Sequence, residues 1–245
     1  MKITVPLIAT AAILVLALAG CSGAGGPSTS GSATSAPKEN GSSSSKTYSA
    51  DDLVAILKKA EATLGVSGTI KDNATISAEV KKLGKVGTSI ADELAKSGGT
   101  ITPASCVTAL NKASDLKAFL SEGGAEASLS YSKGLVGVLT NTNGALPTSI
   151  TGKMATDLDG LYSTCGHMKI TAGSVTGTLT ITKVAATTNA DQTYAYSEVI
   201  DIDGHKSTTT SIEATYGNLI ISDSGLSGTI PDDEAAINAI VAAAK

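Results

Sequence analysis

The chain has 245 residues, a formal net charge of −4 and 16% charged residues, and all 18 of its basic positions are lysine. Without arginine forks or a basic, aromatic-interleaved face, the composition argues against a nucleic-acid partner. With no Trp and a single Phe, Phe119, it also argues against stacked-tryptophan carbohydrate platforms, and leaves the core to Val, Ile, Leu and Ala.

The amino terminus carries Lys2 and then an uncharged apolar run from Ile3 to Gly20, closed by Leu18-Ala19-Gly20-Cys21. A cysteine preceded by two small residues and a leucine is a bacterial lipobox, the pattern read by diacylglyceryl transferase and type II signal peptidase. It predicts removal of residues 1–20 as a signal peptide and lipidation of Cys21. The mature protein is then expected on the extracytoplasmic face of the cell membrane, held there by its N-terminal lipid. The alternative is an uncleaved anchor, since a spanning helix needs about 18–20 residues; but Ala and Gly crowd the end of this run where Leu would be expected. Residues 21–47 are nearly all Gly, Ser, Thr, Ala and Pro and cannot bury enough apolar surface to fold, so they read as a lipidated flexible tether. A coil of this length has an end-to-end distance of roughly 25–30 Å.

Residues 48–245 are expected to form a single α+β domain, with helices packed on one face of a mainly antiparallel β-sheet. Ser49 is placed to cap a helix with Asp51 and Asp52 in its first turn, and Leu53, Ile56, Leu57, Ala60 and Leu64 follow at helical spacing before Gly65. A short extended piece at Val66–Ile70 precedes helical segments near Ile76–Leu83 and Ser89–Lys96. Thr102-Pro103 reads as a cap with proline at the first helical position, opening a helix through Cys106, Val107 and Leu110 and on to Leu116, Phe119 and Leu120. The period then becomes two: Ala127, Leu129 and Tyr131 alternate with Ser128, Ser130 and Ser132, and Leu135–Leu139 continues the pattern. Pro147 introduces a helix with Ile150, Met154, Leu158, Leu161 and Tyr162. Strands are expected at Met168–Thr171, Val175–Val184, Thr193–Ile202, Thr208–Tyr216 and Asn218–Ser222, with Asp203-Gly204 as a two-residue hairpin turn. A last helix runs from Asp232 to Lys245.

Cys21 is claimed by lipid, which leaves Cys106 and Cys165 in an oxidising compartment, where one disulfide is expected. The alternatives are two separate buried thiols or, more weakly, a metal site with His167; no CxxC or HxxxH spacing supports zinc. The two histidines, His167 and His205, stand beside the expected disulfide and a hairpin turn, neither poised as a catalytic base. No GxSxG elbow, SxxK or phosphate loop is present. Asp157 and Asp159 point to different sides of their expected helix. Asp201-Ile202-Asp203-Gly204 is half a calcium loop and better explained as a hairpin. Asp232, Asp233 and Glu234 read as a helix-start charge cluster. Asn40-Gly41-Ser42 and Asn73-Ala74-Thr75 match a glycosylation pattern of little weight behind a bacterial lipobox. No catalytic set, metal set or cofactor motif is expected, and the ligand-binding residues are not legible.

The order of elements resembles a known family: lipobox and tether, a helix of the ADDLVAILKKAEATLG kind, a cysteine-bearing helix, a helix running into LYSTCGHMKI, then strands including TYGNLIISDS and a last helix. Together these resemble actinobacterial surface lipoproteins whose domain is similar to the extracellular sensor domain of the mycobacterial kinase PknH, over about residues 48–245. The resemblance implies helices on a central sheet with a cleft for an unidentified ligand. The kinase domain is stapled by two disulfides, whereas this chain has cysteines for one, and no kinase domain accompanies it here. The expected function is therefore a non-catalytic, sensor-like binding module taking a small-molecule, lipid or envelope-protein ligand. The alternatives are a lipid or glycolipid carrier with an apolar pocket and a structural protein of the cell envelope.

Overall fold

The computed structural model describes residues 46–84, 98–106, 123–146, 162–172, 175–226 and 229–245. The expected signal peptide, the expected lipidation site Cys21, nearly all of the expected tether, and the helices expected at Ser89–Lys96, past Cys106 and from Pro147 with Asp157 and Asp159 lie outside the described residues. Among the described residues no helix is long and apolar enough to cross a membrane.

Helix α1, Ala50–Leu64, forms where the sequence places it, because both of its ends are specified locally. Ser49 Oγ accepts the backbone N–H of Asp52 at 3.2 Å while Asp52 Oδ2 accepts that of Ser49 at 2.8 Å, a reciprocal capping box. Gly65 closes the helix at φ 63°, a left-handed conformation that glycine adopts without a Cβ clash. Strand β1 (Gly68–Lys71) and helix α2 (Asn73–Gly84) follow. Next comes β2, Thr100–Thr102, and here the sequence reading is corrected. Thr102 is not a helix cap; it pairs across to Lys169 and ends a strand, joined to Pro103 by a cis peptide bond. Pairing with a distant strand claims these three residues, and period analysis of so short a segment cannot register it.

The remaining strands are β3 (Gly124–Tyr131), β4 (Gly134–Asn141), β5 (His167–Ala172), β6 (Val175–Val184), β7 (Gln192–Ile202), β8 (His205–Tyr216) and β9 (Leu219–Gly225). The β7–β8 turn is the Asp-Gly hairpin expected, with Asp203 at φ 52° and Gly204 at φ 83°. Asp201 Oδ1 accepts the Gly204 N–H at 2.9 Å, so the turn itself uses the aspartate of the half calcium loop. All nine strands join one sheet in the order β1-β3-β4-β9-β8-β7-β6-β5-β2, every pairing antiparallel. Its two edge strands are the shortest, which limits the unpaired backbone offered to other chains.

Helix α3, Ile230–Ala244, begins two residues ahead of the expected start, with Pro231 in its first turn. Its far end is pinned to the start of the domain: Lys46 Nζ and Tyr48 Oη donate to the Ala244 carbonyl at 2.8 and 3.3 Å. This closes one of the carbonyls that a helix end leaves unpaired.

The sheet carries a core on each side. On one face Leu53, Ile56 and Leu57 of α1 and Ile237, Ile240 and Val241 of α3 pack on Ala127, Leu129, Val136, Val138, Ile212, Ala214, Leu219 and Ile221. On the other, Leu139, Leu179, Ile181, Tyr196 and Ile220 meet Ile101, Met168 and the two cysteines. Cys106 and Cys165 are disulfide-bonded, with Cα atoms 5.4 Å apart and both residues fully buried. The expectation of helices on one face therefore describes α1 and α3. The opposite face holds the disulfide and the helical turn at 162–165 that carries Cys165.

Candidate functional site: a glutamate floor on the disulfide face

Strand alternation sends Leu219, Ile221 and Asp223 of β9 toward the helices, and Ile220, Ser222 and Ser224 to the other face. Following the pairing register across that second face, Ser128 of β3 stands beside Gly137 of β4, Ser222 of β9, Glu213 of β8 and Tyr194 of β7. One step along are Ser224, Ser211 and Tyr196; beyond them Thr209 stands beside Glu198, and at the other end of the patch lies Glu126. A β-carbon built on Gly137 would lie 3.0 Å from Ser222 Oγ and 3.8 Å from Glu126 Oε1, so the glycine leaves room for both.

Three glutamates from three strands are thus buried on a floor of serines, a glycine and tyrosines. Lys71, Lys133 and Lys206 pair elsewhere, with Glu79, Asp232 and Asp201. Burial raises the Glu126 carboxyl to about 7 and the Glu213 carboxyl to about 8. It raises Glu198 to about 6, against a hydrogen bond from Thr209 that favours the charged form. Glu126 Oε2 meets no hydrogen-bond partner at all, although its backbone N–H donates to Asn73 Oδ1 at 3.1 Å. The Tyr196 hydroxyl lies in the same field: burial pushes its ionisation far up, and Glu213 and Glu198 push it further. Its ring packs on Tyr162 with centroids 5.7 Å apart.

The floor offers carboxyl and hydroxyl groups, in a state near neutrality where the carboxyls both accept and donate hydrogen bonds. That set suits a polar guest bearing hydroxyl or amine groups and poorly suits an anion, because no guanidinium exists in the chain. Nucleophile and positioned base are not assembled here. His167 and His205 are both exposed, His167 Nδ1 lying 3.4 Å from Thr180 Oγ1 and His205 pairing with Ile202 beside the hairpin. Among the described residues no three His, Cys, Asp or Glu side chains gather around a metal position.

Sequence reading missed all three glutamates. Each occupies the strand parity that a solvent-facing residue takes: Glu126 lies between Ala125 and Ala127, and Glu213 between Ile212 and Ala214. The only available signal was the company they keep, since their face carries serines instead of the lysines typical of an open surface. The helix-start cluster lies at the start of α3 as expected, but its members meet different surroundings. Asp232 meets Lys133 at 2.9 Å near the surface, but Asp233 is buried against the sheet, where Gly225 gives it room.

No family model matches the chain, and no curated protein does. Among solved structures it is similar to the extracellular domain of PknH from Mycobacterium tuberculosis, with 14% identity over 82% of this chain and 98% of that domain, at a TM-score of 0.44. It is also similar to the Rv0999 ortholog from Mycobacterium smegmatis, with 12% identity over 78% of this chain and 95% of that one, at a TM-score of 0.37. Function belongs to sites and not to folds.

Proposed function

We infer that this protein is a lipid-anchored extracytoplasmic binding module, sensor-like and non-catalytic, whose polar ligand is received on the floor formed by Glu126, Glu198 and Glu213. The lipobox at Cys21 and the tether behind it support the location. The floor supports the binding role: a face meant only for packing would carry the aliphatic residues found on the opposite side, whereas three buried glutamates, one with an unpartnered oxygen at Glu126 Oε2, suit a polar guest. An acyl-chain carrier is disfavoured on the same ground, because hydrocarbon leaves carboxyls and hydroxyls unsatisfied.

The full-length protein isolated from its native envelope tests both parts. Intact mass is expected to show a chain beginning at Cys21 and carrying fatty acid; a chain beginning at Met1 without acyl groups removes the anchor. Native mass spectrometry is expected to show a co-purifying small molecule on the wild type that is lost from E126Q and E213Q. Absence of any bound molecule, together with no thermal stabilisation by envelope extract, rejects the binding role; equal retention by both variants rejects the floor.

A further inference from the structure

A second buried acidic locus lies on the helix face, independent of the floor. Asp223 of β9 is fully buried and Asp233, from the first turn of α3, is 1% exposed. None of their four carboxyl oxygens closes a hydrogen bond of good geometry, nor does the buried Thr210 hydroxyl, although Thr210 and the Ser224 backbone N–H stand close enough to favour the charged forms of Asp233 and Asp223. Register places Gly134 of β4 and Gly225 of β9 side by side between Tyr131 of β3 and Thr210 of β8. Asp233 comes down into this gap; a β-carbon at Gly225 would overlap its carboxyl group. The sheet is cut away at that point to admit one helix carboxyl next to a strand carboxyl.

We propose that Asp223 and Asp233 share a proton and so form a latch that holds the first turn of α3 to the sheet, tight while the proton is kept and loosened once both carboxyls ionise. Two carboxylates in contact, with no cation beside them, cannot both stay charged in a buried setting, and one acid donating to the other satisfies both. The surroundings agree. Burial first, and then Asp233, raises Asp223 well above the carboxylate range. Asp233 is raised to about 6 by burial, with Asp232 and Glu234 adding to the rise and Thr210 and Asp223 opposing it. The other charged or titratable groups facing the pair are few. Tyr131 on β3 is held protonated by burial and by the aspartates, Lys133 in the β3–β4 turn is taken by Asp232, and Glu213 lies on the far side of β8. The β6–β7 loop reaches α3 through neutral backbone N–H groups, from Thr187 to Glu234 and from Asn189 to Asn238. Helix α1 meets α3 through aliphatic side chains, and Lys46 and Tyr48 bind the far end of α3.

The sign follows from linkage. Both groups bind protons more tightly folded than unfolded, so the latch is strongest below the unfolded value near 4 and is lost as pH rises through about 6 and beyond. The test compares the full-length wild type with D223N, whose amide donates to Asp233 at every pH. Wild-type Tm is expected to fall relative to D223N by about 5 °C or more between pH 4 and pH 8. Hydrogen exchange, corrected for intrinsic rate, is expected to show peptide 229–238 losing protection over the same range in the wild type and keeping it in D223N. A Tm difference independent of pH, or protection of that peptide that does not change with pH, overturns the latch. So does a Tm rise on adding Ca²⁺ at pH 8 that D223N abolishes, since a metal ion and not a proton would then join the pair.

Discussion

The two faces of the sheet are made from the same strands and differ in nearly everything else. Toward α1 and α3 the alternating positions are mainly Ala, Val, Ile and Leu, closed by two amphipathic helices, with the buried Asp223–Asp233 carboxyl pair at one corner. Toward the disulfide, the β6–β5–β2 half is apolar, while on β3, β4, β9, β8 and β7 serines, a glycine and the three glutamates are mixed with Leu139, Ile220 and Tyr196. One face is built to hold the fold together, and part of the other is left chemically expensive. Buried carboxyls oppose stability at neutral pH.

The largest effect that bears on this contrast is loss of the covalent tie on the polar side. Replacing Cys106 and Cys165 by serine opens a loop of 59 residues and is expected to remove about 4 kcal/mol, read from denaturant unfolding with and without reductant. Next come two adjacent residues of β9 that face opposite ways. Ile221→Ala, on the helix face, is expected to cost about 3 kcal/mol; Ser222→Ala, on the floor, is expected to cost under about 1 kcal/mol. Equal costs at the two sites would erase the distinction between a packing face and the proposed binding face.

A pH series sharpens it further. Glu213 is protonated in the folded protein up to about 8 but ionises near the ordinary glutamate value once unfolded, so its burial opposes folding increasingly as pH rises between those values and no further above them. E213Q is therefore expected to match the wild type at pH 4 and to exceed it at pH 8, by up to about 4 kcal/mol, measured as the difference in unfolding free energy. A variant that is instead less stable at pH 8 would show that the carboxylate has an ionic partner, contrary to the floor as described. The smallest effect belongs to the helix side: Ser49→Ala removes half of the capping box of α1 and is expected to cost about 1 kcal/mol.

How far these features were legible follows from where their causes lie. The α1 caps, the Asp203-Gly204 turn and the alternation of β3 are local, and each is written within a few residues. Strand β2 is not, because Thr100–Thr102 becomes a strand only through Lys169, Ile170 and Thr171, some seventy positions away. The glutamates escaped for the related reason that parity distinguishes the two sides of a strand without saying what covers each side. In a sheet wetted on one face, Glu126, Glu198 and Glu213 would be solvated; here they are buried.

By itself the sequence determined the α+β class, most strand and helix positions among the described residues and the two cysteines available to each other, since these depend on composition, period and short-range chemistry. Only the tertiary structure decided the strand order, the cores on both sides of the sheet, and the burial of five carboxyls whose neighbours come from other strands or another helix. Their protonation, and with it the proposed binding floor and the proposed latch, is set by desolvation, and desolvation is a property of the completed fold.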